Sequence, residues 1–416
     1  MKKVKNRWLI AASGVGVHVS IGAIYAYSVF KKPLLVELGW ETSQTAWAFS
    51  IAILFLGLSA AFLGPAVERM GPRKSGMLSA VFYGAGLAVA GLGVSTGEIL
   101  VFYLGYGAIA GIGLGMGYIC PVATLVRWFP DRRGLATGLA VMGFGFGALL
   151  ASSLIQLLLV AVGVASSFYV LAICYFVIMM AAAQYLENPP EGWVPKGMRD
   201  GQSAGGSKRT EDLAELDSLE ALGTLRFYYL WVMLFINITC GIAVISVASP
   251  MSQEIAGLTP AAAAAMVGLM GLFNGLGRIA WASLSDVIGR PLTYTAFFCI
   301  QLVAFFALPK TTNFLAFQAL VFLIVSCYGG GFSSTPAFIG DVFGTKKLSA
   351  IYGNILTAWA AAGLVGPLIA ARVRESTGSY EQTLQIFAGF FVFALICSVL
   401  MQFNIRKVRA LKLSQA

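Results

Sequence analysis

Twelve apolar runs, each of about 20 residues or more, divide this chain, and nothing else in it constrains the fold as tightly. They fall at roughly 8–30, 44–67, 75–95, 98–126, 134–162 and 165–186, then after a break at 224–250, 260–285, 291–309, 312–341, 349–371 and 381–405. Lipid offers a backbone no hydrogen-bond partners, so runs of this length must be helices. The 416 residues are 58% apolar and only 11% charged, where a soluble domain carries about 25% charged residues. A soluble enzyme is excluded, and the expected fold is an all-α membrane protein of 12 transmembrane helices. Met1–Arg7 is basic and the run after it has no small-residue cleavage site, which predicts an uncleaved first span. Between the two sets of six lies a different kind of segment, with Pro189, Pro190, Pro195, a GQSAGG stretch and the mixed-charge run EDLAELDSLE, which predicts a short surface helix. The expected domains are therefore 1–187, a linker at 188–223, and 224–416.

Charge then predicts the topology. The net charge of +10 comes from Lys and Arg gathered in small groups between apolar runs, not from a basic stripe with exposed aromatics, so nucleic acid is not an expected partner. With the amino terminus inside, 22 of the 28 Lys and Arg fall at cytoplasmic positions; Lys31, Lys32, Lys310, Arg372 and Arg374 fall outside and Arg278 belongs to neither side. That bias predicts a multi-pass protein of the cell inner (plasma) membrane with both termini cytoplasmic. The six cysteines all sit in apolar runs with no CxxC pair, so they are read as apolar fillers; no metal site, cofactor or nucleophilic triad is expected. The glycine series Gly111–Gly117 lies inside a span with no strand before it, and the Asn237-Ile-Thr239 sequon is hidden in the bilayer.

Two loops carry a common pattern. Gly64, Glu68, Arg69, Gly71, Arg73 and Lys74 follow the second span, and Ser285, Asp286, Gly289 and Arg290 follow the eighth. An acid at a helix end, a glycine turn and a basic group form a tight loop able to lock neighbouring helices and release them. Glu68, Arg69, Arg73, Asp286 and Arg290 are the gating candidates, although a basic turn also serves simply to fix topology. The first loop resembles the signature of the major facilitator superfamily, with Glu68 in place of its usual Asp. GMGYICP with RWFPDRRG and GGGFSSTP with DVFGTKK repeat at an offset of about 214 residues, as two related six-helix bundles leave behind. The resemblance implies the major facilitator fold, with two pseudo-symmetric bundles and alternating access around a central cavity.

Arg278 is the most informative residue. It lies inside the eighth span in NGLGR, and every one of the 18 acids lies in a loop or at a span end. Inserting such a charge costs about 3 kcal/mol, so something must offset it. The plain alternative is that Arg278 reaches the interface or pairs with Asp286, but helical side chains lean toward the helix amino terminus, and eight residues place Asp286 about 12 Å further on. The functional reading is an anion site, because guanidinium is a planar fork that matches a carboxylate. Asn274 stands one turn earlier on the same face and can donate to the same ligand. The glycines at 271, 275 and 277 are expected to serve close helix packing.

NGLGR, RWFPDRRG and the overall plan resemble the oxalate/formate antiporter and monocarboxylate transporter branch, in which an eighth-span Arg binds the substrate carboxylate; carried over, that role falls on Arg278. The chain departs from oxalate exchangers at Thr357-Ala358-Trp359-Ala360, which holds no second cation, and from animal monocarboxylate transporters at Asn274, where they carry an acid. One Arg neutralises a monoanion and leaves a dianion half-paired, so a monocarboxylate is expected.

Tyr118, Tyr328, Phe332, Tyr25 and Trp359 are candidate walls, each also explicable as ordinary helix packing. His18, the chain's one histidine, is the candidate proton relay, with a neutral histidine bonded to a neighbouring helix as the plainer reading. The expected function is proton symport of a small, L-lactate-like monocarboxylate by a protein working as a monomer in the lipid bilayer. The alternatives are an oxalate/formate-type antiporter and a non-transporting membrane sensor or scaffold.

Overall fold

Glycine and proline set where the helices stop. Gly71 has φ +78° and Pro72 opens the next helix, so the chain leaves α3 (Thr42–Met70) and re-enters as α4 (Pro72–Thr96) with a single residue between them. The computed structural model describes residues 4–195 and 213–415, and these are helical with no strand among them. Eleven of the helices are long and apolar enough to cross a membrane.

The expected twelve runs appear as eleven long helices because the fifth and sixth are joined end to end in α7 (Arg133–Tyr185). An unbroken helix of 53 residues would extend about 80 Å, more than twice the hydrocarbon core. Gly163 interrupts it at φ 79°, ψ 177°, a conformation that glycine adopts without a Cβ penalty, and the two arms serve as separate crossings.

The described chain forms two compact units, one of Met1–Arg209 with Lys347–Ala360, the other of Thr210–Lys346 with Ala361–Ala416. In the first unit α1 (Arg7–Ile21) and α4 pack along α7, and α6 (Ala110–Trp128) packs against α3 and α4. The first run is not one uniform helix: α1 gives way to a 3₁₀ stretch, Gly22–Tyr27, before α2 (Ser28–Leu38). A Cβ at residue 22 would lie 2.2 Å from the Phe144 carbonyl oxygen, so α1 approaches α7 this closely only through a glycine. The fourth run likewise starts as α5 (Ile99–Phe102) and a π-helical stretch, Tyr103–Ile109, before α6.

The second unit begins with the short helix α8 (Ser218–Leu222), where a surface helix is expected, started by a reciprocal cap between Asp217 and Glu220. The GQSAGG stretch lies outside the described residues. The unit continues with α9 (Leu225–Ala256), α10 (Pro260–Ile288), α11 (Arg290–Ala307) and α12 (Phe314–Phe343). Then come α13 (Leu348–Thr377), whose first residues belong to the first unit, and α14 (Glu381–Gln415). Here α10 packs along α12, while α14 packs on α11 and α9. The six cysteines are free, but Cys299 faces outward from α11 and fills no core space.

Candidate functional site: a buried arginine and an aromatic cluster

Arg278 is 1% exposed, which places a full guanidinium inside the second unit and not at a helix end. Its Nε–H donates to Asn274 Oδ1 at 3.3 Å, across the single helical turn that the i, i+4 spacing provides. This bond fixes the guanidinium plane, and with its oxygen engaged Asn274 has its amide N–H₂ to offer a ligand. Asp286, the alternative partner weighed for Arg278, is bonded instead to Arg290.

Helix α12 supplies the facing wall. A Cβ at Gly329 would meet the Asn274 carbonyl at 2.4 Å, its side-chain oxygen at 2.6 Å and Arg278 Cγ at 3.1 Å, so only glycine admits the pair. Gly329→Ala is therefore expected to push Asn274 and Arg278 out of register and weaken ligand affinity about tenfold or more, while leaving the helices inserted; a binding titration on purified protein checks this. Four residues on, Ser333 Oγ donates to the Arg278 carbonyl at 2.7 Å. The Arg278 guanidinium carbon lies 5.5 Å from the Phe332 ring centroid, a cation–π distance, and Phe332 in turn meets Tyr328 edge-on at 5.3 Å. Arg278, Asn274, Tyr328 and Phe332 thus come together in one unit.

Two residues that sequence reasoning did not single out hold this wall in place. Asn237 Nδ2 donates to the Tyr328 carbonyl at 3.3 Å, and Gln301 Nε2 donates to Asn237 Oδ1 at 2.8 Å, with both side chains fully buried. A buried amide in an apolar helix needs partners, and that was the available signal. Of the three glycines expected to serve packing, Gly277 does so, with its Cβ position 2.5 Å from the Ser326 carbonyl, but Gly271 has nothing within 4 Å. Gly271 is exposed, on the same side of α10 as Asn274 and Arg278, which corrects that expectation.

Tyr25, Tyr118 and Trp359 gather in the first unit. Tyr118 stands edge-on to Trp359 at 5.3 Å, and Tyr25 lies 6.4 Å from the same indole. Phe144, which sequence reasoning missed inside the glycine-rich GFGFG stretch, is the hub: it contacts Tyr25 at 5.0 Å, Tyr118 at 5.5 Å and Trp359 at 5.8 Å. Tyr352 adds a ring 6.0 Å from Tyr118. His18 is fully buried behind this cluster, stacked on Tyr118.

The loop residues form two polar knots. Glu68 is ion-paired with Arg127, a partner that sequence reasoning did not single out, and its second oxygen accepts the Ser349 N–H at 2.9 Å. A carboxylate on the first turn of α13 satisfies an orphan donor and complements the helix dipole. Arg73 bonds Gln184 at the end of α7, and Arg69 is exposed, so neither is the partner of Glu68. In the second unit Arg290, 4% exposed, pairs with Asp286, bonds Ser285 and reaches Asp341 at 3.2 Å. Among the described residues no group of three or more His, Cys, Asp or Glu is placed to hold a metal ion.

The family model for the Major Facilitator Superfamily matches residues 14–367 and 230–414. The chain is 26% identical over 415 residues to the oxalate:formate antiporter of Oxalobacter formigenes, covering 98% of this chain and 95% of that one. It is 25% identical over 413 residues to apicoplast pyruvate carrier 1 of Toxoplasma gondii, covering 86% and 73%. Among solved structures, the human organic anion transporter MFSD10 superposes with a TM-score of 0.70 at 14% identity, over 95% of this chain and all of that one. With a helical membrane fold, a family match across nearly its whole length and relatives aligned end to end, the chain belongs to the Major Facilitator Superfamily.

Proposed function

We propose that this transporter moves a small monocarboxylate of the lactate or pyruvate kind together with a proton. The observation that carries this reading is the buried Arg278 guanidinium, oriented by Asn274 and backed by Phe332. A charge at that depth is stabilised best by a ligand of opposite sign, and a single negative charge leaves the complex neutral in a low-dielectric site. Moving a proton with the anion makes the cycle electroneutral. Tyr328 shapes the ligand's surroundings beside Arg278 within the second unit, and relatives named for pyruvate and for oxalate and formate favour a small carboxylate.

In this reading the protein works as a monomer in the plasma membrane with its termini and linker in the cytoplasm, and alternating access exposes Arg278 to one side and then the other. The knots at Glu68 and Arg290 hold one state and part in the other. Glu68→Gln removes the charge facing Arg127 and the first turn of α13 and is expected to change the transport rate about tenfold while the protein stays folded, measured by initial uptake rates at equal protein density.

The second reading is anion exchange, favoured by the near full-length match to a protein named as an antiporter. A thermal-shift and binding panel over lactate, pyruvate, acetate, formate and oxalate tests the substrate class. The proposal expects the three-carbon monocarboxylates to bind most tightly; strongest stabilisation by oxalate would favour the exchanger.

A further inference from the structure

His18 sits on α1 with both ring nitrogens against main-chain oxygens: Nδ1 is 2.8 Å from the Ala140 carbonyl on α7, and Nε2 is 3.1 Å from the Tyr118 carbonyl on α6. A carbonyl oxygen only accepts. A neutral imidazole has one N–H and one lone pair, so in either tautomer one nitrogen would turn a lone pair toward an acceptor, whereas an imidazolium donates to both. The seat is therefore shaped for the protonated ring. The Tyr118 ring lies over it, centroids 5.1 Å apart and planes within 12°, which presents an aromatic face to the cation.

The close approach of α1 to α7 builds this seat. A Cβ at Gly143 would meet the Val15 carbonyl at 3.0 Å and His18 Cβ at 3.2 Å, and one at Gly147 would meet the Val19 carbonyl at 2.2 Å. Groups facing the ring include Tyr118 from α6 and Ala140, Gly143 and Phe144 from α7. Of these Tyr118 alone is titratable; Arg133, the basic residue at the start of α7, lies seven residues before Ala140, about 10 Å along the helix. Two carbonyl dipoles and a π face thus bear on the ring. Three residues beyond His18 the α-helix ends and the 3₁₀ stretch begins, a point where the backbone can rewind and open the seat to water.

We propose that His18 is the proton-binding group of this transporter: a proton from water binds the ring lone pair, the imidazolium is held between the Ala140 and Tyr118 carbonyls, and the proton is released on the opposite side. This inference deepens the symport reading and rests on it. Tyr118 is stacked on His18 and edge-on to Trp359, so a movement of the aromatic cluster within the first unit also alters the seat. The sequence-level alternative, a neutral histidine bonded to a neighbouring helix, meets two acceptors where it has one donor.

Because the chain has a single histidine, its protonation can be read directly. Protein labelled with ¹⁵N-histidine and purified through a histidine-free tag is expected to show two protonated ring nitrogens at pH 5.5 and a neutral ring at pH 8.5. A neutral tautomer persisting at pH 5.5 overturns the inference whether or not the protein is a symporter. In vesicles, His18→Gln is expected to slow proton-driven lactate accumulation at least tenfold more than it slows lactate–lactate exchange. If both fall together, or accumulation matches the wild type, the assignment of His18 is wrong. If wild-type protein accumulates no lactate on a proton gradient, the symport reading fails instead, and the nitrogen spectra still decide whether the seat binds a proton.

Discussion

Arg278→Ala is expected to abolish carboxylate binding and transport while leaving a folded, inserted protein. The side chain is fully buried, and its removal leaves Asn274 Oδ1 without the Nε–H it accepts and Phe332 without the cation beside its ring. Two charge-assisted hydrogen bonds to a carboxylate, each of about 1.5–3 kcal/mol, correspond to a loss of about 100-fold or more in affinity. Loss of a buried charge also lowers the cost of insertion, so thermal stability without ligand is expected to hold or rise. Arg278→Lys separates charge from geometry. Lysine restores the positive charge but has neither the planar fork nor an Nε–H for Asn274, and is expected to recover little binding. Binding titrations and melting curves on both variants check this; a lysine variant that binds like the wild type would assign the site to simple charge attraction.

Arg290→Met gives the second large effect, on stability. Arg290 holds Asp286, Ser285 and Asp341 together at the ends of α10 and α12, and the two carboxylates are 18% and 16% exposed. Removing the cation takes away the charge that both partly buried acids share, and breaking such a pair from one side costs about 3–5 kcal/mol. The variant is expected to melt well below the wild type and to be rescued in part by Asp286→Asn with Asp341→Asn, which removes the negative charges that Arg290 balances. Equal melting temperatures for the single and triple variants would show that the knot contributes little to stability.

How much of this was legible in the sequence depended on the range of the interaction. The helices followed from run length and from punctuation such as Gly71-Pro72, because lipid leaves the backbone no other choice. Arg278 and Asn274 stood out because a charge inside an apolar run is costly, and their bond is local, four residues apart. The supports were not legible. Asn237 and Gln301 are 64 residues apart, and Glu68 and Arg127 are 59 apart, so no spacing rule links either pair. Phe144 looked like one more apolar residue until its ring met three aromatics from separate elements. The break at Gly163 was legible as well, because it falls in the gap between the fifth run, ending at 162, and the sixth, starting at 165, and its backbone angle is one that glycine adopts without a Cβ penalty.

The most direct test of coupled monocarboxylate transport is uptake of labelled lactate into empty vesicles holding the purified protein, with an inward proton gradient imposed and the membrane potential clamped at zero. The account predicts transient accumulation above equilibrium that a protonophore collapses and that Arg278→Ala lacks. Uptake that ignores the proton gradient and occurs only into vesicles preloaded with an anion would contradict it and identify an exchanger.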